Sequence, residues 1–306
     1  IVVDAGNGVG GFYSSKVLEP LGADVSASRF LEPDGTFPHH SPNPENPQAM
    51  ASIHDAVVEG GADFGVIFDT DVDRAACVGK GGVMFDRNRL VALASSIALE
   101  KNEGATIVTD SITSDGLTDF IRSMSGVHLR YMRGYKNVID KQIELNENGV
   151  NCPLAIETSG HAAFRENYYL DDGAYLITKI IIKMAELAKA GKSLASLIQG
   201  LREPAEELES RFLIKSGNFR AYGEQIISDL RGYALGVEGW RTAPDDYEGV
   251  RVSTNAENGN GWFLLRVSVH DPVLVLNCES DTPGGTGKML YDVSTFLSRY
   301  DDINMN

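Results

Sequence analysis

Asp69, Asp71 and Asp73 alternate along one short run, Asp69-Thr-Asp-Val-Asp-Arg74, directly after the apolar stretch 64–68. Carboxylates spaced two apart can turn their oxygens onto one hard cation; Mg²⁺ takes oxygen ligands in an octahedron and commonly keeps some positions for water or phosphate. The preceding Phe-Gly-Val-Ile-Phe is a continuous apolar run, the pattern of a strand covered on both faces, and ligand crevices open at the carboxyl ends of such strands. Metal binding is therefore preferred to a solvated acidic turn. An EF-hand loop is excluded, because Arg74 and Lys80 stand where it requires Gly and Glu.

A second constellation is Glu157-Thr-Ser-Gly-His161. A carboxylate, a hydroxyl and an imidazole around one Gly supply both acceptors and donors, as orienting a polyhydroxyl ligand requires. A Ser-His-Asp hydrolase is disfavoured, since Ser159 lacks the G-x-S-x-G elbow. Arg130, Arg133, Lys136 and Lys141 form the densest basic stretch, and beside a metal site Lys136, next to Gly134, is a candidate proton shuttle or phosphate partner. Further on, Arg266-Val-Ser268-Val-His270-Asp-Pro272 places a guanidinium, a hydroxyl and an imidazole on one turn, donors suited to gripping phosphate.

Two glycine runs offer competing phosphate readings. Gly6-x-Gly8-x-x-Gly11 matches the dinucleotide fingerprint, with Glu32 near the end of the next expected strand, yet any tight strand-to-helix turn needs glycine too. The structural reading is preferred, because a nicotinamide enzyme leaves the acidic run without a role. Gly284-Gly-Thr-Gly-Lys288 suggests a P-loop, but Met289 replaces its Ser/Thr and Thr282 its first Gly, so a helix-entry loop is expected.

These residues need a scaffold that alternates strands and helices. Strands are expected at 1–3, 23–30, 64–68, 106–109 and 154–156, and helices at 12–21, 48–59, 88–101, 115–123, 134–147, 173–190 and 194–201. After Glu203-Pro204 the grammar changes to strands at 250–254, 262–268 and 273–279, a helix at 219–230 and a closing one near 288–298. The expected fold is α/β: two consecutive layered α/β domains with mixed sheets at 1–86 and 87–202, then a smaller α+β domain with an antiparallel sheet at 203–306.

The 306 residues contain 27 Lys and Arg against 43 Asp and Glu, a net charge of −16. That excess repels phosphate backbones and anionic lipid, so neither nucleic acid nor a membrane is expected as a partner, and any anionic substrate must be met by local basic groups. Three scattered cysteines form no C-x-x-C pair, and no apolar run reaches ~18 residues, which together suggest the cytoplasm. The chain opens at Ile1 without Met, inside an expected strand.

Taken in order, these motifs resemble the α-D-phosphohexomutase family, the phosphoglucomutases and phosphomannomutases. Asp69–Arg74 is similar to that family's metal loop D-G-D-G-D-R, with Thr70 and Val72 in place of both glycines. Glu157–His161 is similar to its sugar-recognition motif G-E-x-S-G-H, with Ile156 in place of Gly. Gly134-Tyr-Lys136 resembles the segment with a catalytic Lys, and Arg266–Pro272 the phosphate loop R-x-S-N-T-E-P, departing at Val269, His270 and Asp271.

The resemblance implies an enzyme that moves phosphate between the C1 and C6 oxygens of a hexose through a hexose 1,6-bisphosphate. It implies that Asp69, Asp71 and Asp73 hold Mg²⁺ and that Arg74 steadies the oxyanion or the carboxylates. By the same resemblance Lys136 assists proton transfer, Glu157, Ser159 and His161 meet the sugar, and Arg266, Ser268 and His270 clamp the non-reacting phosphate. It further implies that 1–306 corresponds to the second to fourth of four domains, with the phosphoserine on a first domain outside this sequence and no turnover by this chain alone. A haloacid-dehalogenase-like phosphatase, with Asp69 as nucleophile and Asp171-Asp172 as its later acidic pair, is the alternative.

Overall fold

A computed structural model of the chain describes residues 1–244, 246–269 and 271–304. Its contacts divide into two units, Ile1–Arg202 and Glu203–Asn306.

In the first unit, β1 (Val2–Asp4), β2 (Phe64–Phe68), β3 (Ala75–Gly79) and β4 (Val83–Phe85) form a mixed sheet in that order, β1 parallel to β2 and the rest antiparallel. All five residues of β2 are buried. Because side chains alternate along a strand, Phe64, Val66 and Phe68 enter one core, while Ile67 enters another with Ala49, Met50 and Ile53 of helix α1 (Pro47–Gly60). Asn46 caps α1 by accepting from the Gln48 and Ala49 amides, ahead of Pro47 at the first helical position.

The second sheet has the order β6-β5-β7-β8, with β5 (Thr106–Thr109) parallel to β6 (Val127–Arg130) and to β7 (Leu154–Ile156), and β8 (Ala162–Phe164) antiparallel to β7. Helices α2 (Arg87–Leu99), α3 (Asp115–Ser123), α4 (Tyr135–Glu147) and α5 (Gly173–Lys189) accompany it. One apolar core runs from Val3 to Ile198 and takes side chains from both sheets, α2 and α5 between them.

Two expectations are corrected. The segment 23–30 is no strand; beside β1 it forms an isolated bridge between Asp4 and Arg29, and the Ser28 hydroxyl accepts the Val3 amide at 3.0 Å. Asp24 captures the Ser26 amide in a turn, and Phe30 takes φ +53°, which breaks extension at both ends. Residues 9–21 coil as short turns, with a wide π-type turn over Tyr13–Leu18 in place of one regular helix.

The second unit is a six-stranded antiparallel sheet in the order β10-β11-β12-β13-β9-β14: β9 (Glu206–Ile214), β10 (Trp240–Thr242), β11 (Val250–Thr254), β12 (Gly261–Val267), β13 (Val273–Ser280) and β14 (Ile303–Asn304). Helices α6 (Phe219–Ala234) and α7 (Gly285–Leu297) bury Ile226, Leu230, Met289 and Phe296 with Val252, Phe263 and Leu276 of the sheet. The mixed α/β sheets followed by an antiparallel α+β unit agree with the fold class expected above. Among the described residues no helix is long and apolar enough to cross a membrane.

Candidate active site

The acidic run connects the end of β2 to the start of β3 and is folded tightly enough for Asp69, Asp71 and Asp73 to place carboxylate oxygens within 4.8 Å of one another. Asp69 is buried; its Oδ1 accepts from the Val72 and Arg74 amides at 3.0 and 3.2 Å, and its Oδ2 accepts from Arg74 Nε at 2.9 Å. Both oxygens are thus engaged, which argues against Asp69 as an aspartyl nucleophile. Burial, and then the neighbouring Asp73 carboxyl, raise the Asp69 pKa. Asp73 Oδ1 is buried with no hydrogen-bond donor. Crowded oxygens of one sign, one lacking a donor, fit a hard divalent cation, which satisfies all of them at once.

Neighbouring glycines let backbone close around this loop. A Cβ on Gly8 would stand 2.7 Å from the Thr70 carbonyl oxygen, where the Val9 amide donates at 2.9 Å. The fingerprint-like Gly6–Gly11 run therefore packs beside the acidic loop, in line with the structural reading. From another side Gly173, at the start of α5, donates its amide to the Val72 carbonyl at 3.0 Å and has no room for a Cβ. Arg74 reaches outward, donating from Nη1 to Asn43 Oδ1 at 3.1 Å and pairing with Glu45 at 3.8 Å, so it ties Asp69 to the Pro/Asn-rich loop.

Glu157 to His161 form the turn between β7 and β8, and the turn docks on the acidic loop: the Ala75 amide donates to the Gly160 carbonyl, and Arg74 and His161 form a β-bridge. Gly160, at φ +99°, would clash with the Ala75 carbonyl if it carried a side chain. Glu157 is buried, accepts the Gly134 amide at 2.6 Å through Oε1, and lies 3.4 Å from the Ser159 hydroxyl through Oε2. Burial first, and the Asp110 charge second, push its pKa up to about 7.

His161 Nδ1 stands 2.7 Å from Asp171 Oδ2 and 3.7 Å from Asp73 Oδ2, and its ring stacks on Tyr135 at 5.1 Å. Burial disfavours the imidazolium, but the Asp171 hydrogen bond and the surrounding carboxylates outweigh it and raise the pKa. The pairing of Asp171 and Tyr135 with His161 is not readable in the sequence, because it comes from tertiary packing and follows no spacing rule. Asp172, grouped with Asp171 at the sequence level, caps α5 through the Tyr175 amide.

The basic stretch divides. Arg130 donates to the Thr113 and Ser114 carbonyls and pairs with Asp115 at the start of α3, and Lys141 pairs with Glu144 and lies over Tyr131. Arg133 reaches Glu45 at 3.1 Å. Lys136 sits on the first turn of α4, whose leading Gly134 amide touches Glu157, but its exposed ammonium pairs with Asp140 one turn along.

In the second unit, Arg266 near the end of β12 is buried and its Nη1 lies 3.6 Å from Glu248. The Ser268 amide donates to the Val273 carbonyl at 2.9 Å, and the Ser268 hydroxyl accepts the Asp271 amide at 3.3 Å, closing the turn. Arg220 of α6 donates to the Val269 carbonyl at 2.9 Å, a second guanidinium at this turn that no sequence motif announced. His270 lies outside the described residues. The P-loop-like run enters α7, where Glu206 accepts the Gly284 and Thr286 amides; a side-chain carboxylate occupies the place a phosphate would take in a P-loop.

Comparison with known proteins agrees with this geometry. The family model described as phosphoglucomutase/phosphomannomutase, alpha/beta/alpha domain II, matches residues 1–82, and that for domain III matches residues 86–204. A phosphomannomutase/phosphoglucomutase of Pseudomonas putida is 32% identical over 284 residues, 92% of this chain and 57% of that protein. The solved structure of a phosphoglucomutase/phosphomannomutase family protein from Burkholderia thailandensis superposes with a TM-score of 0.80 at 28% identity, covering 97% of this chain and 60% of that one. An Aspergillus fumigatus N-acetylphosphoglucosamine mutase, solved with GlcNAc-6P and magnesium, shares the fold at a TM-score of 0.61 and 14% identity, over 97% of this chain and 65% of that one. The chain spans 57% of the length of its first curated relatives.

Proposed function

The chain belongs to the phosphoglucomutase/phosphomannomutase family, and we propose that it carries the metal-binding, sugar-recognition and phosphate-clamping parts of an enzyme that moves phosphate between C1 and C6 of a hexose through a bisphosphate. In this reading 1–86, 87–202 and 203–306 are its second, third and fourth domains. One observation carries the proposal: three carboxylates converge on a loop that is hydrogen-bonded to the turn bearing Glu157, Ser159 and His161.

Asp69, Asp71 and Asp73 would hold Mg²⁺, which when bound neutralises charge on the phosphoryl group in transfer. Arg74 keeps Asp69 aimed by its Nε contact and braces the loop against Asn43. Glu157 is fixed by the Gly134 amide, and with Ser159 it would accept and donate hydrogen bonds to sugar hydroxyls. A carboxyl titrating near 7 can take up or release a proton at neutral pH, so Glu157 is suited to holding the hydroxyl proton while a phosphoryl group arrives or leaves. His161, held by Asp171 and Tyr135, presents its ring beside the same carboxylates. Lys136 would serve proton transfer once released from Asp140, and Arg266 with Ser268 would grip the non-reacting phosphate, provided Arg266 exchanges Glu248 for that anion.

Calorimetry with Mn²⁺ and glucose 1-phosphate tests this. The wild type is expected to bind both, Asp73→Asn to lose the metal, and Arg266→Ala to lose the sugar phosphate. Retention of both ligands by both variants would remove the proposal.

A further inference from the structure

We propose that the cleft at the other end of the first sheet, between β4 and the C-terminal half of α5, is a binding site for a small amphipathic monoanion: an apolar body with one carboxylate or sulfonate. The cleft encloses about 420 Å³, within the ~300–1,000 Å³ range of small-molecule sites. Val83, Phe85, Met184 and Leu194 line it with apolar surface, and the unbranched thioether of Met184 adapts readily to a ligand's shape.

Charge at the rim selects the head group. The ionisable lining residues are Asp63, Lys80 and Lys192. Asp63 and Lys80 neutralise each other at 2.7 Å. Lys192 is exposed on the turn after α5 and, among the described residues, joins no ion pair. The lining thus sums to +1 in a chain of net −16, so a single anionic group finds its counter-charge here, at Lys192.

The place is separate from the acidic loop. Asp63 precedes β2 and Asp69 follows it, which sets the two about 20 Å apart along the strand. α5 covers most of that distance, from Gly173 against Val72 to Met184 at the cleft, about 16 Å along its axis.

Methyl NMR of the seven methionines of the chain, with the Met184 signal assigned by Met184→Leu, tests it with decanoate and decyltrimethylammonium as probes. Decanoate is expected to shift the Met184 methyl saturably, and the ammonium probe to bind at least about fivefold more weakly. Lys192→Glu should weaken decanoate roughly five- to tenfold. Ala188→Trp, which adds bulk at an exposed position of the cleft, should abolish the shift. A Met184 methyl unmoved by millimolar decanoate, an equal response to both head groups, or undiminished binding in Ala188→Trp would each overturn the assignment.

Discussion

Val72 is the residue on which the acidic loop turns, and its substitution separates two forces that usually act together. It holds φ +72°, a left-handed conformation that costs an L-residue about 1–2 kcal/mol, yet its side chain is 7% exposed and packs in the main core of the first unit. Burial of a Val side chain, worth about 1.5–3 kcal/mol, offsets that cost. Val72→Ala keeps the left-handed backbone and loses two methyl groups, so it should destabilise by about 2 kcal/mol. Val72→Gly loses slightly more burial and about 0.5–1 kcal/mol to the freer unfolded chain, but recovers the conformational cost. Its stability should therefore equal or exceed that of Val72→Ala, the reverse of the order at an ordinary site. Trp240 and Trp262 are the two tryptophans and both lie in the second unit, so urea unfolding must be followed by far-ultraviolet circular dichroism and not by tryptophan fluorescence. Metal affinity should rank the other way: the glycine loop must be ordered by the ion, a further ~1 kcal/mol or about fivefold in Mn²⁺ affinity relative to Val72→Ala. A glycine variant less stable than the alanine variant by 1 kcal/mol or more would refute the offset between strain and packing.

Three further outcomes are expected. Glu157 has a folded pKa of about 7 against an ordinary 4.5, so the stability it confers is complete below about pH 4.5 and is lost as pH rises through 7. Glu157→Gln should accordingly be stabilised relative to wild type above pH 7, by at most about 3 kcal/mol, and not below pH 4.5; thermal unfolding across that window reads the difference. Asp73→Asn should lower Mn²⁺ affinity by at least roughly tenfold while leaving the unfolding midpoint unchanged or raised, because the amide places no charge beside Asp69. Asn46→Ala should remove the cap of α1 and cost about 1 kcal/mol in urea unfolding, and Asn46→Asp should restore most of it.

What the sequence disclosed and what it hid follow from how each feature is encoded. Asp69–Arg74 and Glu157–His161 were legible because each is one contiguous turn at a strand end, where local spacing and chemistry coincide. Asp171 was misassigned, since its role depends on a hairpin that brings it back onto His161. β9 carries the alternation of a half-buried strand in Leu208, Phe212 and Ile214, but Ser210 interrupts that apolar row and Glu206, Glu207 and Glu209 crowd its start, which weakens the signal. β4 and β8, at three residues each, are too short for any period to register. The reverse error fell on 23–30, where strand-compatible side chains outvoted the Asp24 turn and the left-handed Phe30.

The glycines explain why the acidic loop could depart from the D-G-D-G-D-R pattern without losing its shape. In that pattern the flexible positions lie inside the loop; here Thr70 and Val72 fill them. The close approaches are made by glycines outside it: Gly8 against Thr70, Gly160 against Ala75 and Gly173 against Val72 and Arg74, each leaving less than 3 Å for an added Cβ. Backbone contacts from three directions fix the loop's path, and the Val72 side chain anchors it from within the core. Freedom at positions 70 and 72 is then unnecessary, and a β-branched residue can hold a left-handed conformation because its surroundings over-determine it. The same contacts bind the turn that carries Glu157 and His161 to the carboxylates, so the spacing between the proposed metal ligands and the proposed sugar-facing groups is set by backbone, not by their side chains.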